Sequence, residues 1–203
     1  MEPVSVETVR FEVDDAVVLE GDRLTPTEPV GSAVVCHPHP LYGGSRHDAV
    51  VGTICRTLVG AGWDVLRFDF RGTGGSSGSH GGGPGEQDDL RAAIDLMAVD
   101  GRPLIVAGYS FGADVALSVV DDRIGRWITV APVLSVFTKF AAASDPRPKT
   151  LIAADHDQFA PSAKLAIDAA DWPATDLVAV PGADHFFHGA QRAIEAAVTD
   201  VVV

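Results

Sequence analysis

A chain of 203 residues, 46% hydrophobic and 21% charged, has the length for one domain with a sizeable core and an ordinary globular composition. Its formal charge of −13 argues against the polyanionic partners, nucleic acid and anionic membrane, and serves solubility first. No apolar run approaches the ~20 residues of a membrane span, and the opening M-E-P-V-S-V-E-T-V-R lacks signal-peptide character, so a cytoplasmic protein is expected.

Residues 4–24 alternate loosely around Asp14-Asp15 and predict an antiparallel edge hairpin, with a loop over residues 25–31. Six apolar strands are then expected at 33–36, 64–69, 104–107, 127–130, 150–154 and 177–180. Strands without polar alternation are buried on both faces, as in a parallel sheet covered by helices. Ser45 with Asp48 resembles a capping box ahead of Val50, Val51, Ile54, Cys55, Leu58 and Val59, and Gly60 or Gly62 ends that helix. Glu86, Asp88 and Asp89 place acid on the first turn of a helix carrying Leu90, Ile94 and Met97. Residues 113–120 form a further helical run. Pro161 opens another, bearing Leu165 and Ile167, and residues 190–203 close the chain with Ile194, Ala197 and Val198 on one face. Cys36 and Cys55 lie in apolar stretches and predict two buried thiols rather than a disulfide. Two strands followed by alternating strand and helix predict one α/β domain over 1–203: a doubly wound, mostly parallel sheet with an antiparallel N-terminal hairpin. Ligands of such sheets sit beyond the carboxyl ends of the strands.

The chemically capable residues fall there. Gly108-Tyr109-Ser110-Phe111-Gly112 joins the apolar run 104–107 to the helical run 113–120, which reads as a nucleophile elbow. The helix start aims free N–H groups and its positive dipole end at the same spot. With 21 Gly in the chain, chance supplies about 0.1 such patterns. A second match exists at Gly74-Gly75-Ser76-Ser77-Gly78. The segment after it, S-H-G-G-G-P, should not begin a helix, so context selects Ser110 over Ser76. Asp155-His156-Asp157 follow the fifth parallel strand and Gly182-Ala183-Asp184-His185 follow the sixth. A serine needs a base within reach, and an aspartate must orient that base. His185 is the candidate base, while either Asp155 or Asp157 could orient it. His188 and Asp184 read as solvated neighbours. The spacings His37-x-His39 and His185-x-x-His188 are weak metal signals without a thiolate or carboxylate at ligand spacing, so no metal and no cofactor are expected. The glycine-rich loop 72–85 lacks the G-K-[ST] of a phosphate loop.

The segments H-P-H-P-L-Y-G-G, R-F-D-F-R-G-T-G-x-S, A-G-Y-S-F-G-A and G-A-D-H-F-F, spread over residues 33–190, resemble the α/β-hydrolase superfamily. The likeness is to its small, lidless, dienelactone-hydrolase-like bacterial members. That resemblance implies the fold, a Ser110–Asp157–His185 triad and hydrolysis of carboxylic esters or thioesters. Asp157 fits because it stands four residues before Pro161, as the family's acid does. Dienelactone hydrolases proper use a cysteine nucleophile, so their substrate is not carried over to Ser110. Asp69 and Arg71 match a structural D-x-R-G loop. The oxyanion hole is expected from the Phe111 N–H together with an N–H of loop 37–44. Pro38 and Pro40 have none, which leaves His39 or Leu41, His39 being better placed. Leu41, Tyr42, Val133, Phe137 and Phe186 are expected to line the substrate pocket, with Leu134, Val136 and Phe140 shared between core and pocket. Too few residues separate the fourth and fifth parallel strands to build a cap, so the site should be open and shallow. The substrate is expected to be a small ester. A peptidase or acyltransferase on the same triad, or a binding protein on this scaffold, are the alternatives.

Overall fold

The computed structural model describes residues 4–14, 16–99 and 101–202; Asp15 and Val203, expected from the sequence in a hairpin turn and a closing helix, lie outside the described residues. In chain order the strands are β1 (Val4–Glu12), β2 (Val18–Pro26), β3 (Gly31–Cys36), β4 (Trp63–Phe68), β5 (Leu104–Tyr109), β6 (Ile124–Val130), β7 (Lys149–Ala154) and β8 (Thr175–Val180). The helices are α1 (Ala49–Gly60), α2 (Pro84–Met97), α3 (Phe111–Ser118), α4 (Ser162–Asp168) and α5 (Gln191–Val202). All eight strands form one sheet in the order β1-β2-β4-β3-β5-β6-β7-β8. β1 pairs antiparallel with β2 and β2 with β4, while the other pairings are parallel. This is the mostly parallel α/β-hydrolase sheet with an antiparallel N-terminal pair. Between β6 and β7 the chain makes only one short 3₁₀ turn, Ala141–Ser144, and no cap is present among the described residues.

Alternation along the strands divides the core. Val34, Cys36, Leu66, Phe68, Val106 and Trp127 pack under α2 and α3 with Leu90, Ile94, Met97 and Val115. Ala33, Val35, Val65, Ile105, Ala107, Ile128 and Ile152 pack under α1 and α5 with Ile54, Leu58, Ile194 and Val198. Cys36 and Cys55 fall on opposite sides of the sheet, both reduced and buried. Burial drives the Cys55 thiol up to about 12.

Several local readings need correction. β2 runs on to Pro26, because Thr25 and Pro26 pair with Ser5 and Val4 of β1, so the loop before β3 is shorter than residues 25–31. Only β1 is the outer strand of that pair. The N-cap of α1 is Asp48 itself, whose Oδ1 accepts the N–H groups of Val50 and Val51 at 2.8 and 3.4 Å; the Ser45 hydroxyl accepts from His47 instead. A helix does begin within the glycine-rich loop, at Pro84, since proline suits the first helical position and Glu86 accepts the Gly81 and Gly83 N–H groups at 2.7 Å. β8 is an edge strand and half-exposed, despite its apolar sequence. On α4, Leu165 is buried but Ile167 faces solvent.

The loops after β3 and β4 are locked together by a buried histidine. The His37 Nε2 accepts the Phe70 N–H at 3.0 Å, so the proton sits on Nδ1 and is donated to the Pro38 carbonyl at 2.6 Å. Burial lowers its pKa to about 4 against the pull of Asp69 and Glu86. Unfolded, the same imidazole titrates near ~6.5. The unfolded chain therefore binds an extra proton between those values, and stability falls as pH drops through that window, at most ~1.4 kcal/mol per pH unit. Urea unfolding at about pH 7, 6 and 5 should show this slope in the native chain. His37→Gln should be less stable at neutral pH but lack that part of the slope.

Candidate active site

The elbow is as crowded as its glycines require. A Cβ on Gly108 would stand 2.3 Å from the Gly112 carbonyl oxygen, and one on Gly112 would stand 2.4 Å from that of His37. Between them Ser110 takes φ 54° and ψ −118°, a conformation L-residues avoid. Its N–H extends the sheet ladder to the Val130 carbonyl at 2.9 Å. The side chain is thereby left at the carboxyl edge of the sheet, on the first turn of α3.

The Ser110 Oγ lies 2.9 Å from His185 Nε2, and His185 Nδ1 lies 2.7 Å from Asp157 Oδ2. The Nδ1 proton goes to the carboxylate, so the Nε2 lone pair faces the hydroxyl. Asp157 Oδ1 accepts the N–H groups of Phe159 and Ala160 at 2.8 and 3.0 Å, which fixes the carboxylate within its own turn. Burial works to raise the Asp157 pKa, but the His185 hydrogen bond and those two N–H groups outweigh it and hold the carboxyl below its ordinary value. Asp155 instead accepts from the Ser162 hydroxyl at 2.5 Å, at the start of α4. His188 is solvent-exposed, 3.5 Å from Asp184. Tyr109 donates its hydroxyl to the His185 carbonyl at 3.0 Å, and burial raises its pKa, so it stays a donor.

Ser76 has a different environment. Its hydroxyl donates to the Asp69 carbonyl at 2.6 Å and accepts the Glu20 N–H at 2.9 Å, stitching the glycine-rich loop to β2. Asp69 takes the Arg46 N–H at 2.8 Å and pairs with the Arg46 guanidinium, which also meets Glu20 at 2.8 Å and Asp22 at 3.3 Å. Arg71 pairs with buried Asp89 at 2.7 Å. These charges build the scaffold together with the buried His37 ring, while His39 Nδ1 accepts the Leu41 N–H at 3.2 Å and holds its own turn.

A cleft of about 500 Å³ opens over Ser110. It is lined by His39, Tyr42, Phe111, Val133, Val136 and Phe186, among others. Leu41 points into solvent and Phe137 packs against Phe140 and Gly83, so neither lines the cleft; the 3₁₀ turn Pro40–Tyr42 turns Leu41 outward. Phe159 lines it and was not foreseen, although it stands only two residues after Asp157. Of the two loop donors considered, Leu41 is engaged with His39, whereas the His39 N–H has no acceptor among the described residues. The Phe111 N–H opens α3 and has no intrahelical partner.

Sequence reasoning also missed Asp114. This carboxylate is wholly buried, one turn after Ser110, and it accepts four backbone N–H groups. Oδ1 takes Val133 and Leu134 at 2.9 and 3.0 Å, and Oδ2 takes Ser135 and Val136 at 3.1 Å each. Burial pushes its pKa up and the four donors pull against that. The one signal was an acid inside an otherwise apolar helix, A-D-V-A-L. Asp114 thus ties the helix that carries the serine to the wall of the cleft.

A serine on this elbow, over a mostly parallel sheet with no cap, defines the α/β serine hydrolases. The chain belongs to the family described as "Serine aminopeptidase, S33", whose model matches residues 27–192. An uncharacterized protein of Rickettsia prowazekii is 31% identical over 193 residues, covering 88% of this chain and 80% of the relative. An α/β serine hydrolase homologue from Coxiella burnetii is 28% identical, with TM-score 0.89 over 100% of this chain and 99% of the other. A lidless α/β serine hydrolase from Xanthomonas campestris is 29% identical, with TM-score 0.85 over 98% and 94% of the two chains. No helix among the described residues is long and apolar enough to cross a membrane.

Asp114→Asn keeps the shape but turns two acceptor sites into donors, leaving backbone N–H groups unsatisfied at about 1–3 kcal/mol each. Hydrogen exchange should show the amides of residues 133–136 losing protection first, with the β5 amides unchanged. Unaltered protection at 133–136 would rule out this role.

Proposed function

We propose that this chain, as a single domain, is a serine hydrolase that cleaves carboxylic esters or thioesters through an acyl-enzyme. The observation that carries the reading is the unbroken relay from Ser110 Oγ through His185 to Asp157, at 2.9 and 2.7 Å. His185 takes the Ser110 proton as Oγ attacks the acyl carbon, and the imidazolium so formed is stabilised by Asp157. Negative charge collects on the former carbonyl oxygen, and the N–H groups of Phe111 and His39 receive it; one such donor is typically worth about 10²–10³ in rate. His185 then gives its proton to the leaving oxygen or sulfur. Water enters, loses a proton to His185 and releases the acid, restoring Ser110. No step calls for a cofactor or a metal. The family's description names an aminopeptidase, which must hold a substrate α-ammonium. Among the described residues Asp48 is the one carboxylate lining this cleft, and with its Oδ1 capping α1 a single oxygen is left for an ammonium. Ester cleavage therefore fits better, and an aminoacyl anilide assayed beside the esters tests the peptidase reading.

Ser110→Ala should abolish both fluorophosphonate labelling and ester turnover. Ser76→Ala should still label, while losing about 1–3 kcal/mol of stability because it orphans the Glu20 N–H. Asp157→Asn should cost roughly 10⁴ in turnover with melting little changed, and Asp155→Asn tenfold or less. Full labelling of Ser110→Ala refutes the nucleophile, and an Asp155-dominated profile relocates the acid.

An uncapped cleft leaves long acyl chains half in water, so hydrolysis rates should peak at roughly C2 to C6. The profile of kcat/KM across p-nitrophenyl esters measures this; a steady rise to long chains contradicts it.

A further inference from the structure

If His185 delivers the proton to the departing group, that group must lie beside the imidazole. What surrounds the imidazole there is aromatic and wet. The Phe159 ring stands 4.7 Å from it at 73°, and the Phe186 ring 5.5 Å from it at 88°. Both line the cleft, yet Phe159 is 54% exposed and Phe186 49% exposed. Core packing does not account for two phenyl rings left this open at the mouth of one site, because neither joins the buried clusters under the helices. Tyr42, 87% exposed, continues the aromatic rim across the mouth. The cleft lining contains Asp48 but no lysine or arginine, and the chain carries −13, so outside the oxyanion hole no cationic side chain there would hold a charged leaving group.

Resting on the serine-hydrolase reading, we propose that Phe159 and Phe186 form a leaving-group cradle that selects esters of uncharged aromatic alcohols. An aryl ring entering between them covers apolar surface that is otherwise wet and gains edge-to-face contacts a small alkyl group cannot make. The remaining apolar lining, Val133 and Val136 held by Asp114, is left for the acyl group. The rival account is that the two rings only shield the Ser110–His185 hydrogen bond from water. That account predicts an effect on every step in which His185 moves a proton, whatever the alcohol.

Phenyl acetate and hexafluoroisopropyl acetate separate the two, since their alcohols are of similar acidity and both yield the same acetyl-enzyme. In the native chain kcat/KM should favour the phenyl ester. The Phe159→Ala/Phe186→Ala double variant should lose about tenfold in kcat/KM on phenyl acetate and little on the fluoroalkyl ester. Deacylation of the shared acetyl-enzyme, followed in single turnovers, should be unchanged. Phe159→Leu and Phe186→Leu, which keep apolar bulk, give the same comparison should the double variant be unstable. Equal losses on both esters, or slowed deacylation, would overturn the cradle and leave the hydrolase reading standing. A native chain that cleaves neither ester would overturn both.

Discussion

The structure turns on one close approach of backbones. Gly112, on the first turn of α3, lies so near the end of β3 that a Cβ would meet the Cys36 and His37 carbonyl oxygens at 2.5 and 2.4 Å. Gly108 is pressed as closely against the Gly112 carbonyl. Neighbouring strands β3 and β5 can therefore end side by side, and both of their loops open onto one point. At β3 the chain leaves outward to β4 and then returns across to β5, so this point is also where the sheet order switches. The Phe111 and His39 N–H groups belong to the two loops that diverge from it.

Acidic composition takes on a particular meaning inside this frame. The buried carboxylates are each matched to donors: Asp22 to Arg67, Asp69 to Arg46, Asp89 to Arg71, Asp64 to Arg23, Asp157 to His185 and two N–H groups, Glu86 to two loop N–H groups, and Asp114 to four. A buried charge is tolerable only when so satisfied. Asp64 with Arg23 closes the amino end of β4, whereas the partners of Asp69, Asp89, Glu86 and Asp114 are loops beyond the carboxyl ends, so those charges that cost desolvation also fix the segments around the site. Lys149 is the basic counterpart, wholly buried and donating to the Asp145 and Arg147 carbonyls at 2.6 and 2.8 Å.

What could be read from the sequence was whatever depends on local chemistry. Apolar runs gave the strands, and a glycine-flanked serine between strand and helix singled out Ser110. The order of serine, acid and histidine pointed to His185, while the local residues left Asp155 and Asp157 open and only the family resemblance, through Pro161, preferred Asp157. Four features were out of reach, three of them long-range. Leu41 and Phe137 look as suitable for a pocket as Val133 does; only the turn after β3 and the packing on Gly83 decide against them. Asp114 looks like a misplaced charge until the loop that it holds is seen. Local context rejected Ser76 as a nucleophile, but what it does instead, stitching its loop to Glu20 of β2, depends on a partner far away in sequence. Pro84 reads as a helix breaker until its place at the first helical turn is known.

Strain completes the account. The non-glycine residues with positive φ among those described are Ser110, Ala131, Leu134, Ala174 and Phe187. All but Ala174 lie in the loops that build the cleft, at a cost of order 1–3 kcal/mol each. Each of those four has its N–H held. Ser110 donates to Val130 at 2.9 Å, Ala131 to Ile152 at 2.8 Å, Leu134 to Asp114 at 3.0 Å and Phe187 to the Asp184 carbonyl at 3.1 Å. The first two are ladder bonds continued one residue past the strand ends, so the rigid sheet itself imposes the turn. Leu134 has no sheet to lean on, and there the buried carboxylate of Asp114 takes over. Phe187 is fully buried next to the half-exposed Phe186, and its reversed φ lets the chain fold back after His185 into α5. Four of the five strained residues thus lie in the loops around the cleft, two of them directly at strand ends, and these are the loops that carry Ser110 and His185 and wall the site.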